Sequence, residues 1–286
     1  MSTRVSEVLK VQCGEGIVRA VRTKKEYMNL SEQFILTKVH EAIRLDPKLR
    51  EAYYAQKDTT IKKIVKMVRE HARKIYGVFQ DSREMTQRIE LLSKTDLRNT
   101  ADMLRILRSH ISTKERVETY PQFWEQLLAL TKHPHSILDI GCGLNPVAYF
   151  GFTQCVQTTY LACELSQLDA EQLQAFFAHN NLVNASAIAF DAVRELDAYP
   201  TEHFDVVLLL KVLDTFERQK RYITYDILDK LSATYIVATF PRSTVKGRKT
   251  DRGDAIMWFE KMLARKSFSF SRVLFETEVG YICFRT

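Results

Sequence analysis

The stretch His135-Ser-Ile-Leu-Asp-Ile-Gly-Cys-Gly-Leu-Asn-Pro146 decides the fold of this chain. A short apolar run ends on Asp139, and Gly141 and Gly143 follow at once. That pattern is a buried strand turning sharply into a loop, where the missing β-carbons let backbone amides approach a ligand. Ligands of open α/β sheets bind just beyond the carboxyl ends of the strands. A lone Gly-x-Gly does not say which ligand, so the remaining residues must.

Downstream, strands and helices alternate. Ser136–Ile140 reads as the first strand, Thr159–Cys163 as the second with Glu164 at its end, and Ala185–Phe190 as the third, ending at Asp191. Phe204–Leu210 is strongly apolar and ends at Lys211; Tyr235–Phe240 leads into a basic loop. Arg272–Phe275 and Tyr281–Arg285 read as a closing antiparallel pair. Such alternation predicts an α/β class fold, a doubly wound Rossmann-like domain with a mostly parallel sheet.

Upstream of residue 130 the texture is helical. From Thr59, the residues Ile61, Ile64, Val65, Val68, Ala72, Ile75 and Tyr76 recur at three- and four-residue spacing, with Thr59 or Thr60 as the expected cap and Gly77 as the stop. The opposite face carries Lys62, Lys63, Lys66, Arg69, Arg73 and Lys74. A basic amphipathic helix of this kind suits RNA, a membrane surface or plain water. Further helices are expected over residues 31–44, ending before Asp46-Pro47, and over 95–109 and 121–132. The predicted division is a basic helical domain over 1–110 and an α/β domain over 111–286.

The chain has 286 residues, 45% of them hydrophobic, which is enough for a large α/β domain and a smaller companion. Met1-Ser-Thr-Arg shows no leader pattern and no apolar run is long enough for a bilayer, so a cytoplasmic protein without a membrane partner is expected. Five scattered cysteines, without paired spacing, predict reduced thiols and no metal. Charge is unevenly placed: residues 1–110 hold 23 Lys and Arg against 14 Asp and Glu, and residues 111–239 hold 9 against 16. A basic amino-terminal third joined to an acidic middle suggests a polyanion-binding module beside a small-molecule site.

The chemistry gathers at the strand ends. Glu164 lies where two ribose hydroxyls could be held, and Asp191 where an adenine amine could donate. Each acid alone has a plainer reading as a turn or cap residue; three in register on successive strands argue for a site. A dinucleotide would want a third glycine where Pro146 stands, and acidic surroundings suit a cationic ligand better than phosphates. S-adenosylmethionine, with an adenosine, a sulfonium and an amino acid, fits.

The loop Asp139-Ile-Gly-Cys-Gly-Leu-Asn-Pro146 resembles the cofactor loop of the aminoglycoside-resistance 16S rRNA (guanine-N7) methyltransferases, of which this chain would be a diverged member. Ser112-Thr-Lys-Glu-Arg116 is similar to that family's Ser-Thr-Lys/Arg-Glu-Arg element. Leu210-Lys-Val-Leu213 with Glu217-Arg218, Phe240-Pro241, Gly247-Arg248 and Trp258-Phe-Glu260 follow its later segments, and Thr23–Tyr27 and His71–Gly77 resemble its helical amino-terminal domain. The chain departs at Ser243, where the family has a basic residue that here appears one position early as Arg242, and at Lys249-Thr-Asp-Arg252, where the family has Gly-Lys-Gly-Met.

The resemblance implies an S-adenosylmethionine-dependent rRNA methyltransferase acting on 16S rRNA within the 30S subunit, with possible aminoglycoside resistance. It assigns Arg116 to the cofactor's carboxylate, and Asp139, Gly141, Gly143 and Asn145 to the loop around its methionine end; Glu164 takes the ribose and Asp191 the adenine. Lys211 faces the cofactor or the incoming base, or simply reaches out from a strand end. Arg242, Lys246, Arg248, Lys249 and Arg252 would position phosphates, with Trp258 as the stacking ring or a core residue. Cys142 reads as a small buried filler rather than a nucleophile. A monomer is expected. The competing functions are a methyltransferase for another RNA site or a small molecule, and a noncatalytic RNA-binding protein on the same fold.

Overall fold

The computed structural model describes residues 14–76, 85–242 and 255–285. The chain divides into two compact units, Met1–Arg83 and Glu84–Thr286.

In the first unit, residues 14–22 (α1) are helical and lead to a short 3-10 turn at Lys25–Tyr27. Three helices follow: α2 (Glu32–Leu45), α3 (Pro47–Tyr54) and α4 (Asp58–Ile75). Ser31 caps α2 by accepting from the Phe34 amide at 3.1 Å. The Asp46-Pro47 pair ends α2, as the sequence predicts, and also starts α3. Asp46 accepts from the Leu49 amide at 3.0 Å while Pro47 occupies the first turn, where its missing N–H costs nothing. Helix α4 begins at Asp58, ahead of the threonines expected to cap it, with no side-chain cap at Lys57. An acid in the first turn meets the positive helix end instead. Its apolar stripe (Ile64, Val65, Val68, Ala72, Ile75) is buried as the spacing predicts. The expected stop at Gly77 lies outside the described residues.

The second unit is built on a seven-stranded sheet of order β3-β2-β1-β4-β5-β7-β6. Its strands are β1 (Ser136–Ile140), β2 (Thr159–Glu164), β3 (Ala185–Ala189), β4 (Phe204–Leu210), β5 (Ala233–Pro241), β6 (Phe268–Leu274) and β7 (Glu278–Arg285). The first five are parallel; β7 runs antiparallel to β5 and to β6. Along β4, Val206, Leu208 and Leu210 enter one core while Val207 and Leu209 enter the other. Period-two alternation with apolar residues on both faces is what a central parallel strand requires. One face is covered by α5 (Met85–Leu92), α6 (Thr100–Arg108), α8 (Tyr120–Leu130), α9 (Asn145–Thr153) and α10 (Gln167–His179). The other is covered by α11 (Leu213–Gln219), α12 (Ile223–Lys230) and α13 (Met257–Arg265). Between α6 and α8 lies one further turn of helix, α7 (Ile111–Lys114).

The division at Arg83 replaces the predicted boundary at 110. Leu92, Met103, Ile106 and Leu107 are buried in the core cluster that also holds Ile137 of β1, so α5 and α6 belong to the α/β unit. Their helical period hid this, because a covering helix of a sheet and a helix of a separate bundle carry the same apolar stripe.

Candidate active site

Strand order reverses between β1 and β4, the place where open sheets leave a crevice at their carboxyl edge. After β1 the chain turns through Gly141 (φ +69°) and Gly143 (φ +53°), a backbone conformation that side chains disfavour. The Gly141 and Cys142 amides donate to the Cys163 carbonyl at 2.8 and 3.1 Å, which fastens the turn to the end of β2. There is no room to spare. A β-carbon on Gly141 would stand 2.7 Å from Val212 Cγ1, and one on Gly143 would stand 3.3 Å from His110 Cε1.

Two of the three predicted acids line this turn. Asp139 is fully buried; its Oδ2 accepts from Tyr160 Oη at 2.7 Å, while Oδ1 receives no well-formed hydrogen bond. Burial pushes its carboxyl up to about 7, against the pull of the Tyr160 hydroxyl, the Arg116 charge and Asn145. Glu164 accepts from the Gly143 amide at 3.0 Å. Burial and then the neighbouring Asp169 carboxylate push it up to about 7, against hydrogen bonds from the Gly143 and Leu165 amides. Asp191 is tied to its own turn: Oδ1 accepts from the Val193 amide at 3.1 Å, and Arg194 Nε lies 3.6 Å from Oδ2.

Across the reversal point the charges change sign. Arg116 is buried between elements far apart in sequence. Its Nε and Nη2 are held by Glu278, the latter at 2.8 Å, and its Nη1 donates to Asn145 Oδ1 at 3.1 Å. Tyr120 Oη also donates to Asn145 Oδ1, at 2.9 Å. Lys211, which ends β4 in a left-handed conformation (φ +61°), donates to Glu115 Oε2 at 2.6 Å and lies 3.6 Å from Glu278 Oε1. Glu278 is buried; against that burial, the Arg116 and Lys211 charges hold its carboxyl down at about 2. His110 is also buried: desolvation, with the charges of Arg88, Lys211 and Arg116, pushes its imidazole down to about 3, so it is neutral where it meets the glycine turn. Cys142 is buried and its thiol is held protonated, which agrees with a packing role.

Glu278, His110 and Arg88 escape sequence reasoning. Glu278 opens β7, and only the antiparallel register Pro241↔Glu278 brings it to the edge where β5 ends. For His110, adjacency to Ser112–Arg116 was the available signal.

Trp258 is half-buried, packed edge-to-face on Phe240 at 5.7 Å, whereas its neighbour Phe259 is wholly core. With Arg218, Arg221, Tyr222, Lys261 and Arg265, Trp258 lines a groove of about 540 Å³ between α11, α12 and α13. Arg242 is half-buried and its amide donates to Thr277 O at 2.9 Å; Lys246, Arg248, Lys249 and Arg252 lie outside the described residues. In the first unit Lys62, Lys63, Lys66 and Arg73 are exposed. Arg69 is half-buried and is spent on the fold, donating to the Ala20 carbonyl and to Thr23 Oγ1. Lys62, Lys66, Arg69 and Arg73, joined by Lys24, line a second groove of about 600 Å³.

Fold and site together define a class. A sheet in this order, with a reversed β7 and an acid-lined glycine turn after β1, is the architecture of S-adenosylmethionine-dependent methyltransferases. The model of the ribosomal RNA methyltransferase (FmrO) family matches residues 55–282, and the chain belongs to that family. A 16S rRNA (guanine(1405)-N(7))-methyltransferase of Frankia casuarinae is 28% identical over 183 residues, covering 64% of this chain and 63% of that protein. One of Proteus mirabilis is 26% identical over 202 residues, covering 65% and 71%. The chain thus spans a little under two thirds of the former's length. Among solved structures, the 16S rRNA methyltransferase RmtF in complex with S-adenosyl-L-homocysteine aligns with a TM-score of 0.75 at 22% identity, over 96% of this chain and 98% of that one. That likeness establishes the fold. Among the described residues, no helix is long and apolar enough to cross a membrane.

Proposed function

We propose that this chain transfers a methyl group from S-adenosylmethionine to N7 of a guanine in 16S rRNA of the 30S subunit. The observation that carries the reading is the family match over residues 55–282, which includes the whole acid-lined strand edge and the basic helix α4. The residues present fit the cofactor: a buried carboxylate with a vacant acceptor at Asp139 Oδ1 and a carboxylate at the end of β2 suit a cationic nucleoside. When bound, S-adenosylmethionine supplies an electrophilic methyl group on its sulfonium.

The chain's own part is placement. Guanine N7 is a lone pair with no proton to lose, so no general base is needed and catalysis rests on alignment. Asp139 and the Gly141 and Gly143 turn hold the methionine end, Glu164 the ribose and Asp191 the adenine. Arg116, fixed by Glu278 and Asn145, offers its remaining N–H groups to the carboxylate. Lys211 borders the reacting base from the β4 side. Trp258 with Arg218 and Lys261, and Lys62, Lys66 and Arg73 on α4, grip the RNA; Arg69 serves the fold first. The enzyme acts as a monomer in the cytoplasm, where ribosomes are.

Radiolabelled cofactor incubated with purified 30S subunits, followed by primer extension across 16S rRNA, tests the proposal. Label at a single guanine is expected. Label confined to another RNA or to small molecules overturns the target, and no cofactor binding at all overturns the enzyme.

A further inference from the structure

We infer that Arg88, on a helix outside the sheet, is a positioning residue of the nucleoside site: by pairing with Asp169 it removes a like-charged neighbour from Glu164, leaving that carboxylate able to accept the ribose hydroxyls. This rests on the cofactor reading above and adds a residue outside the strand-end motif.

The geometry is local and buried. Arg88 on α5 is 2% exposed and its Nη2 donates to Asp169 Oδ1 at 3.3 Å; the Asp169 side chain is 14% exposed. Asp169 lies in the first turn of α10, five residues past Glu164, with its amide donated to Ser166 Oγ at 3.2 Å. The groups that face Glu164 are Asp169 from α10, Asp139 from β1, the thiols of Cys142 and Cys163, and the amides of Gly143 and Leu165. Every charged member of that set is an acid. Three carboxylates converging in a poorly solvated edge repel, and the repulsion is settled by one of them holding a proton. A protonated Glu164 would have lost half its ability to accept from a diol. Arg88 is the cation that the second unit places against this set from outside, and burial leaves the pair little screened.

A plainer role, a buried pair that only tethers α5 to α10, makes different predictions. Charge compensation requires that removing either partner move the cofactor's pH dependence in opposite directions. Binding of S-adenosylmethionine to the full-length protein, titrated by calorimetry between about pH 5.5 and 8.5, reads this. Wild-type affinity should rise with pH through about 7, where Glu164 ionises. In Arg88→Gln the midpoint should move up by about one pH unit, with affinity near neutrality reduced about tenfold. In Asp169→Asn it should move down, the double variant should return towards wild type, and Arg88→Lys should keep the wild-type profile. Variants that lose melting temperature but keep an unshifted midpoint, or whose midpoints move together, overturn the inference. If Arg88→Gln fails to fold, Asp169→Asn decides alone: an unmoved midpoint refutes the pairing role. A wild-type chain that binds no cofactor sinks the underlying reading as well, and that result is separate from every variant result.

Discussion

The two halves of the sheet, divided at β1 and β4, present opposite chemistry along one edge. On the side of β1, β2 and β3 the strand ends carry Asp139, Glu164 and Asp191, and hydrogen bonds there run from backbone amides and a tyrosine. On the side of β4, β5 and β7 they carry Lys211, Arg242 and Glu278, with Arg116 inserted among them and held by side chains. The first half is local: each acid lies within two residues of its strand's end. The second half is assembled from four separate segments, with Arg116 and Glu278 paired across 162 positions of sequence. One half is therefore set by strand-ending chemistry and can be varied residue by residue; the other is a cooperative network in which each member depends on the rest.

Breaking the cooperative half should have the largest effect. Glu278→Gln leaves Arg116 buried with its main counter-charge gone, and a loss of about 3–5 kcal/mol in unfolding free energy is expected in urea titration. A loss below about 1 kcal/mol would show that the network is not cooperative. Because the Glu278 carboxyl is held down at about 2, its contribution is complete above the ordinary carboxylate range and should disappear as pH falls towards 2. Acid titration of wild type against Glu278→Gln checks this, and parallel curves would refute it.

The local half should yield to single changes in binding with the fold intact. Asp139→Asn removes a charged acceptor, worth about 1.5–3 kcal/mol, so S-adenosylmethionine affinity should fall about ten- to hundredfold in calorimetry. Its stability should hold or rise, since a carboxyl pushed up to about 7 is unfavourable when ionised in the fold. Gly143→Ala should cost about 1–2 kcal/mol, because φ +53° is strained for alanine and its methyl meets His110 at 3.3 Å. A neutral result in thermal melts would mean that the turn relaxes.

The smallest effect is on pH. Asp139 and Glu164 are both raised to about 7, above their unfolded values. The folded chain then binds more protons than the unfolded one between about pH 4 and 7, so stability should fall as pH rises through that window, by about 1 kcal/mol or more for each group that stays isolated. Cofactor binding should run the other way and strengthen as both acids ionise. Melting curves and calorimetry across pH 5 to 8 compare the two trends; trends in the same direction would contradict the placement of these acids.

Where the sequence read well, the controlling forces were short-range. Strands β1 and β4 match their predicted bounds, because apolar runs on both faces and a glycine or charged stop define a central strand. The parallel sheet with its antiparallel closing pair, and the acids of β1 and β2 beside a glycine turn, were legible for the same reason. Asp191 shows the limit: its position was read correctly, but its side chain is already engaged by Val193 and Arg194. Arg69 shows another, since helical periodicity put it among the solvent-facing cations and only packing revealed Thr23 and Ala20 as its partners.

By itself, then, the sequence determined the alternation of elements, the glycine turn, the acid side of the edge and the uneven charge, all of which depend on neighbours within a few residues. Tertiary structure alone decided that α5 and α6 belong to the sheet's core, that Glu278 meets Arg116, and that Arg88 reaches Asp169. The physical reason is register and docking. Antiparallel pairing carries the first residue of β7 to the carboxyl edge, and helix packing turns a stripe that could face any core towards this one.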